Sequence, residues 1–462
     1  MRSSREGETK PIVFNVRDFG AAGDRQQNDR TAIQTAIDAC SRAGGGTVCV
    51  PAGDYLSGTL RLQSHVTLHL GAGARLWAST DPHDYDSQHD YESSGGLLVG
   101  TLIVAEDAEH VAVEGGGTIH GQGVADLGAR WGVPDRPSFR TGICLFQGCR
   151  HVVIRDITIL YSDAWTVHLQ RCETVFVDGV TIFNNRHRLN SDGIDPNSCR
   201  DVHIANCHIV TGDDCIVLKA TEPHPCENIV VTNCTLETTC AAVKLGTESF
   251  GDFRDIHISN CTIRNSPVGI GLYVKDGATM ERVTFSNLSI QTPADWQEHS
   301  VAPIFMDIEK RCADSRIGAI RDVIFRDIHI HSESGILIQG MPEGPIENLT
   351  MQNITLRVDR AADYAARHKP KGSRRTMPHA SDTSYARLPS YVTLAHVRGV
   401  MLDNIRVLIA APAFREHERS AIYGYDLEDG VLRSIFRQPG EAAGQQPVIA
   451  LHDSRRMLVT EC

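Results

Sequence analysis

Cys207, Cys234 and Cys261 stand 27 residues apart, each inside one frame: VHIANCHI, IVVTNCTL and IHISNCTI. The frame returns without cysteine in VIRDITI, VFVDGVTI, VTFSNLSI, VIFRDIHI, LTMQNITL and VMLDNIRV. Self-similarity at a fixed period means that each copy buries its apolar face only by stacking on its neighbours, so the chain is expected to fold as a solenoid. Within a copy the apolar residues alternate, as in Val202 and Ile204 or Val283 and Phe285, which is strand periodicity, and Asn, Asp or Gly ends each run. Short parallel strands coiled into an all-β helix of about ten turns satisfy both observations. Asn206, Asn233, Asn260 and Asn287 then form a ladder at one corner, each amide bonding to those above and below. Cys199 and Cys226 share the 27-residue spacing, so two cysteine columns line the interior as small apolar side chains.

The repeat overrides length as a guide to domain count. A chain of 462 residues with 41% hydrophobic content would ordinarily suggest two or three domains. No linker divides this one, and a single domain over 1–462 is expected, with residues 1–10 as a flexible N-terminus. In NDRTAIQTAIDACSRAGGG, Ala32, Ile33, Ala36, Ile37 and Cys40 fall at helical spacing, with Asn28 or Asp29 as N-cap and Gly44 to Gly46 as the stop. This helix, placed at 28–43, covers a first turn whose open strand edge would otherwise invite aggregation. Frame intervals lengthen in the C-terminal half, which predicts long loops near 291–320 and 357–391. The formal charge of −12 argues against nucleic acid or an anionic membrane as partner, and no apolar run approaches the roughly 20 residues needed to cross a bilayer. The polar opening MRSSREGETK lacks the apolar core of a signal peptide, so a cytoplasmic location with free thiols is expected, although a trimmed form of a secreted protein also fits. Nothing in the sequence fixes the oligomeric state; a monomer is expected.

The stretch NSDGIDPNSCRDVHIANCHIVTGDDCIVLK, residues 190 to 219, sets Asp192, Asp195, Asp213 and Asp214 among apolar residues. Aligning Ile194 with Ile216 and Val243 stacks Asp192 on Asp214, with Ala241 on the next turn. Asp213 would ordinarily face the other side of its strand, and Gly212 is expected to supply a bulge or turn that lets both acids reach one groove. Like charges this close raise at least one carboxyl pKa, so a proton is kept at neutral pH, which is a general-acid arrangement. A single Asp in DG or DD is commonly a turn residue bonded to its own backbone. Three on successive turns point to a site. Asp195, in register with Val217, reads as an interior or turn residue.

NSDG at 190–193, followed by GDD at 212–214 and CIVLK, resembles glycoside hydrolase family 28, the polygalacturonase family. The resemblance extends over most of the chain: VRDFGAAGDRQQNDRTAIQTAID is similar to the opening of pectinase-type helices, and AWTVHLQRC (164–172) to the turn before the first acid. It implies a right-handed parallel β-helix, a pectin-lyase-like solenoid, with Asp213 as the general acid and Asp192 and Asp214 activating water. The family inverts anomeric configuration, which needs roughly 6.5–9.5 Å between the carboxyls. The sequence departs from the family at two motifs. CAAVKLGTES (240–249) has Ala241 where the family's Gly-His-Gly carries histidine, and LYVKD (272–276) has Tyr273 in place of arginine while Lys275 is retained. Tyrosine cannot rebuild a planar bidentate clamp on a carboxylate. By register Lys219, Gly246 and Tyr273 share one column, and Thr221, Glu248 and Lys275 the next. Lys219, Lys244 and Glu248 therefore join Asn190, Tyr273 and Lys275 as substrate-binding candidates.

Trp165 precedes Asp192 in its column and could support the apolar face of a sugar, or pack in the core. His168 lies near the same groove or in the core, and Glu309 and Lys310 of FMDIEKR enter the cleft from a later turn. Together these readings lead to an exo-acting, inverting glycoside hydrolase of pectin-derived or related oligosaccharides, needing no cofactor or metal. Two other classes stay open. A polysaccharide lyase would use the Asp cluster to bind Ca²⁺ and a Lys to abstract a proton. A non-catalytic glycan-binding helix would need no acid pair.

Overall fold

Each turn of the chain lays down short strands that hydrogen-bond to the strands at the same positions one turn earlier and one turn later. The computed structural model describes residues 13–86, 88–91, 97–125, 139–293, 302–359, 390–411, 413, 419–438 and 446–460. Three parallel sheets result. One stacks Val167–Gln170, Ile194–Asn197, Ile216–Ala220, Ala241–Ser249 and Val268–Val274. A second stacks Arg150–Arg155, Glu173–Asp178, Arg200–Ala205, Cys226–Thr232 and Phe253–Ser259. A third stacks Thr158–Leu160, Thr181–Phe183, His208–Thr211, Thr235–Thr238 and Thr262–Ile263. Among the described strands only Gln88–Tyr91 and Leu97–Glu106 pair antiparallel.

The second sheet runs from Val13–Asn15 to Arg455–Thr460, beyond the ten or so turns that the frame suggests. Turns before residue 139 escape the count because they lack the Asn/Asp frame; Gly115 to Gly117 stands where later turns carry Asn or Asp. No helix among the described residues is long and apolar enough to cross a membrane.

The interior is built from columns of like residues. Val202, Ile229, Ile256, Val283, Val323 and Leu349 follow one another in register, all fully buried. Phe285 and Phe325 stack with ring centroids 5.0 Å apart. The cysteine columns are present as expected: Cys199, Cys226, Cys207, Cys234 and Cys261 are buried, and every cysteine among the described residues is a free thiol.

The corner ladder forms as well. Asn206, Asn233, Asn260 and Asn287 adopt φ between 53° and 57°, the left-handed conformation that Asn tolerates best among residues with a Cβ. Asn233 Nδ2 donates to Asn206 Oδ1 at 3.4 Å and Asn287 Nδ2 to Asn260 Oδ1 at 2.7 Å. The ladder breaks once, where Asn260 Nδ2 donates to Thr232 Oγ1 instead (3.2 Å).

Helix α1, Arg30–Arg42, buries Ile33, Ala36, Ile37 and Cys40 against the first turns. It is shorter than the expected 28–43 because Asn28 still belongs to the strand Asp24–Asn28 and Asp29 is the N-cap. The Asp29 carbonyl accepts from Ile33 N (3.0 Å), but its side chain does not bond into the helix; its two carboxylate oxygens accept from Ala22 N (2.7 Å) and Gly23 N (3.0 Å). Asn28 Oδ1 accepts from Arg30 N at 2.9 Å.

The region 291–320 is not one long loop. Ala302–Ile308 is a buried strand within it, and the flanking strands reach Thr292 and start at Ala319. Residues 294–301, most of 357–391 and the N-terminal 1–10 lie outside the described residues.

Replacing Asp29 by Ala removes the charged acceptor of two partly buried N–H groups, a loss of about 1–3 kcal/mol. We expect faster amide hydrogen exchange at Ala22 and Gly23 and through α1, with Asp29→Asn falling between the two proteins. Unchanged exchange in Asp29→Ala would show that the carboxylate does not hold the cap.

Candidate active site

Three aspartates come together beside the first sheet, with Asp213 and Asp214 both close enough to Asp192 to crowd its charge. Thr166 N donates to Asp192 O (3.0 Å), Gly193 N to Asp214 O (2.9 Å) and Cys215 N to Ala241 O (3.0 Å), so Asp192, Asp214 and Ala241 lie on successive turns in the expected register. Asp213 joins them through a turn rather than a bulge. Gly212 packs so tightly that a Cβ there would lie 2.3 Å from Arg188 O and 2.6 Å from Asn185 O. That close approach sets the Asp213 turn against the loop 185–191. Asn190 N donates to Asp213 Oδ2 at 3.1 Å, and Asp214 N to Asp213 Oδ1 at 3.0 Å. Thr211 and Thr238 hydroxyls both donate to the Asp213 carbonyl.

The surroundings push the acids apart in character. Burial, with the like charges of Asp213 and Asp195 added, raises the Asp192 carboxyl well above the usual range, and the attraction of Lys219 does not cancel this. Asp195, fully buried behind Asp192, is raised in the same sense by burial, against the pull of Lys219. Asp214 is balanced by a cation: Lys244 Nζ lies 2.7 Å from its Oδ2, and Ala241 N donates to its Oδ1 at 3.1 Å. Burial alone would lower the Lys244 ammonium, yet Asp214 holds it well above its ordinary value.

The other candidates converge on the same groove. Lys219 Nζ lies 4.7 Å from the Trp165 ring centroid and 3.3 Å from Glu248 Oε2. Its charge holds the Glu248 carboxyl at about 2. Trp165 meets His168 edge to face, centroids 4.8 Å apart, and both are buried. Tyr273 lies against Phe305, centroids 5.1 Å apart. Lys275 pairs with Glu309. Asn190 supports Asp213 through its backbone, and its side-chain Oδ1 lies 3.5 Å from Arg140 Nη1. Lys310 is not brought in; it is exposed and donates to Ala313 O.

One column assignment fails. Leu218 pairs with Leu245 but Ala220 pairs with Ser249, so two residues of one strand face four of the next. The extra residues at Gly246 and Thr247 carry Glu248 back over Lys219, and Thr221 bonds to Asn197 instead (N to Oδ1, 3.0 Å).

Sequence reasoning missed the groups beneath the site. Arg140, nearly fully buried, donates to Leu189 O and to Asp163 Oδ1 (3.2 Å), and Arg188 also bonds Asp163. These bonds tie the loop that holds Asn190 to the preceding turns. The signal was an arginine inside the otherwise uncharged run FRTGICLF. Asp276 and Arg311 were missed too; Arg311 grips Asp276 through two bonds (2.7 and 2.8 Å) and donates to Thr247 O at 2.7 Å.

The chain matches the model of glycosyl hydrolases family 28 over residues 40–370 and belongs to that family. It is 33% identical over 221 residues to a probable polygalacturonase of Vitis vinifera, covering 44% of this chain and 43% of the relative. It is 26% identical over 253 residues to an exo-poly-alpha-D-galacturonosidase of Dickeya chrysanthemi, covering 45% of this chain and 42% of the relative. The chain spans about half the length of the curated relatives it matches. In fold it is similar to the family 28 exopolygalacturonase of Yersinia enterocolitica, with TM-score 0.65 and 19% identity over 97% of this chain and 78% of that one. The exopolygalacturonase of Thermotoga maritima gives TM-score 0.64 and 23% identity, over 77% and 89%. The fold is a right-handed parallel β-helix.

The Lys219–Glu248 pair yields a pH prediction. Glu248 has its folded pKa depressed from 4.5 to about 2, so its stabilisation is present above 4.5 and is lost as pH falls from there towards 2. Lys219→Met removes the depressing charge. The acid-unfolding midpoint, followed by circular dichroism, should rise by roughly one pH unit; an unmoved midpoint would sink the assignment.

Proposed function

We propose that the protein is an exo-acting, inverting glycoside hydrolase of pectin-derived or related plant oligosaccharides. The observation that carries this reading is the pairing of unlike carboxyls in one groove: Asp192 crowded by Asp213 and Asp195, and Asp214 balanced by Lys244 at 2.7 Å. Membership of family 28 and the exo-acting relatives support it. Environments that separate two carboxyls in this way assign the acid and base roles. Asp192 and Asp213, crowded together, share one proton; with that proton on Asp213 and Asp192 ionised, Asp213 delivers it to the glycosidic oxygen as that bond breaks. Asp214 and Asp192 take a proton from the water that attacks the anomeric carbon from the opposite face. Asn190 N and the Asp214 N hold Asp213, and the Arg140–Asp163–Arg188 group fixes the loop that carries Asn190.

The lyase reading is not favoured. The tightest donor group among the described residues is Asp213, Asp214 and Cys240, with donor atoms within 4.8 Å of one another. Calcium takes six to eight oxygens, a thiol is not one of them, and Lys244 already engages Asp214. Activity should therefore survive a chelator, and loss restored by calcium would revive the lyase.

Asp213→Asn should lower turnover about a hundred- to ten-thousand-fold while leaving oligosaccharide binding intact. Asp192→Asn and Asp214→Asn should also be severe, and product followed by NMR should show the anomeric configuration opposite to that of the cleaved bond. Near wild-type rates in any two of the three variants would refute the assignment and favour a glycan-binding role.

A further inference from the structure

Four cations near the aspartates are each matched to an acid. Lys244 sits on Asp214, Lys219 on Glu248, Lys275 on Glu309 and Arg311 on Asp276. Most of these pairs are well buried, with side-chain exposures of 17% and 1%, 6% and 24%, 12% and 9%, and 39% and 2% in that order. A uronate carboxylate entering here has to draw a cation away from its partner. That leaves a buried carboxylate unpaired, and breaking a buried pair in this way costs about 3–5 kcal/mol. Asp192 and Asp195 add two buried acids close by, and the lysine that both feel, Lys219, is the one already on Glu248. The position where the family carries arginine holds Tyr273, an uncharged ring that lies against Phe305. Rings of this kind favour the apolar face of an uncharged sugar.

We propose that the sugar bound between the aspartates and Tyr273 is uncharged, so that the site removes a neutral terminal residue from its oligosaccharide and discriminates against a terminal uronate. The inference rests on the glycoside hydrolase reading and names the substrate class of that same site. The discrimination is built by occupation. Glu248 and Glu309 fill the places on Lys219 and Lys275 that a substrate carboxylate would otherwise take, which is a repulsive device against the charged ligand.

The test uses a pair of substrates that differ in one group: a galacturonate trisaccharide, and the same trisaccharide with the carboxyl of its non-reducing terminal residue reduced to a hydroxymethyl group. With the wild-type protein, kcat/KM for the reduced compound should exceed that for the uronate by about tenfold or more, which is 1.4 kcal/mol of discrimination. Calorimetric binding of both to Asp213→Asn should show the same preference. In Glu309→Gln and Glu248→Gln a lysine is released, and the preference should shrink through a gain for the uronate, a gain that misfolding cannot produce. Equal or better turnover of the uronate-ended compound overturns the proposal and leaves the hydrolase reading standing. If neither compound is cleaved, the hydrolase reading falls, and the binding comparison still decides: tighter binding of the reduced compound supports an uncharged site, and tighter binding of the uronate overturns it.

Discussion

The backbone ladder between successive turns is the constraint on which the rest of the molecule depends. N–H groups of one turn reach the carbonyls of the next, which places equivalent side chains about 4.8 Å apart along a column. Residues at equivalent positions of successive turns are therefore stacked on one another. For Val202, Ile229 and Ile256 this buries aliphatic surface continuously. For Asn206 and Asn233 it supplies amide partners at a corner that needs left-handed backbone. For Asp192 and Asp214 the same spacing is costly, because it sets carboxyls on carboxyls away from water.

The site resolves that cost by unequal treatment of its acids. Asp214 receives Lys244 and a backbone N–H, whereas Asp192 and Asp195 share the weaker attraction of Lys219, whose closest partner is Glu248. Two kinds of carboxyl therefore coexist in one site, one paired with a lysine and one buried among other acids and inclined to stay neutral. A buried ion pair is weak evidence for stability. Here the pairs define which acid carries charge, and that is a requirement of acid and base chemistry.

Much of this was legible in the sequence because a repeat writes its register into the spacing of residues. The 27-residue interval revealed the cysteine and asparagine columns, and the alignment of Ile194 with Ile216 and Val243, across a shorter turn, stacked Asp192 on Asp214. What escaped was whatever broke the interval. Two extra residues near Gly246 moved Glu248 onto Lys219, and no count of residues reveals where a strand swells. The strand Ala302–Ile308 is buried on both faces, so it lacks the alternation that marks its neighbours and passed for loop. The early turns carry Gly115 to Gly117 at the corner, which hid them from the frame. Arg140 belongs to no column of charges, so only its place in an otherwise uncharged run could have drawn notice. The expected room for water between the acids and the identity of the sugar depend on side-chain geometry that spacing does not encode.

A solenoid of this kind is one-dimensional: each turn touches the turn before it and the turn after it, and little else. The aspartates, their lysines and the Tyr273–Phe305 pair sit on a run of turns between Phe139 and Ile308, with further turns on either side. Turns added or removed outside that run would change the length of the rod and leave the groove in register. The architecture thus separates two properties that a globular core entangles. Reach along a substrate can be lengthened like a ruler, while the chemistry stays fixed at one mark on it.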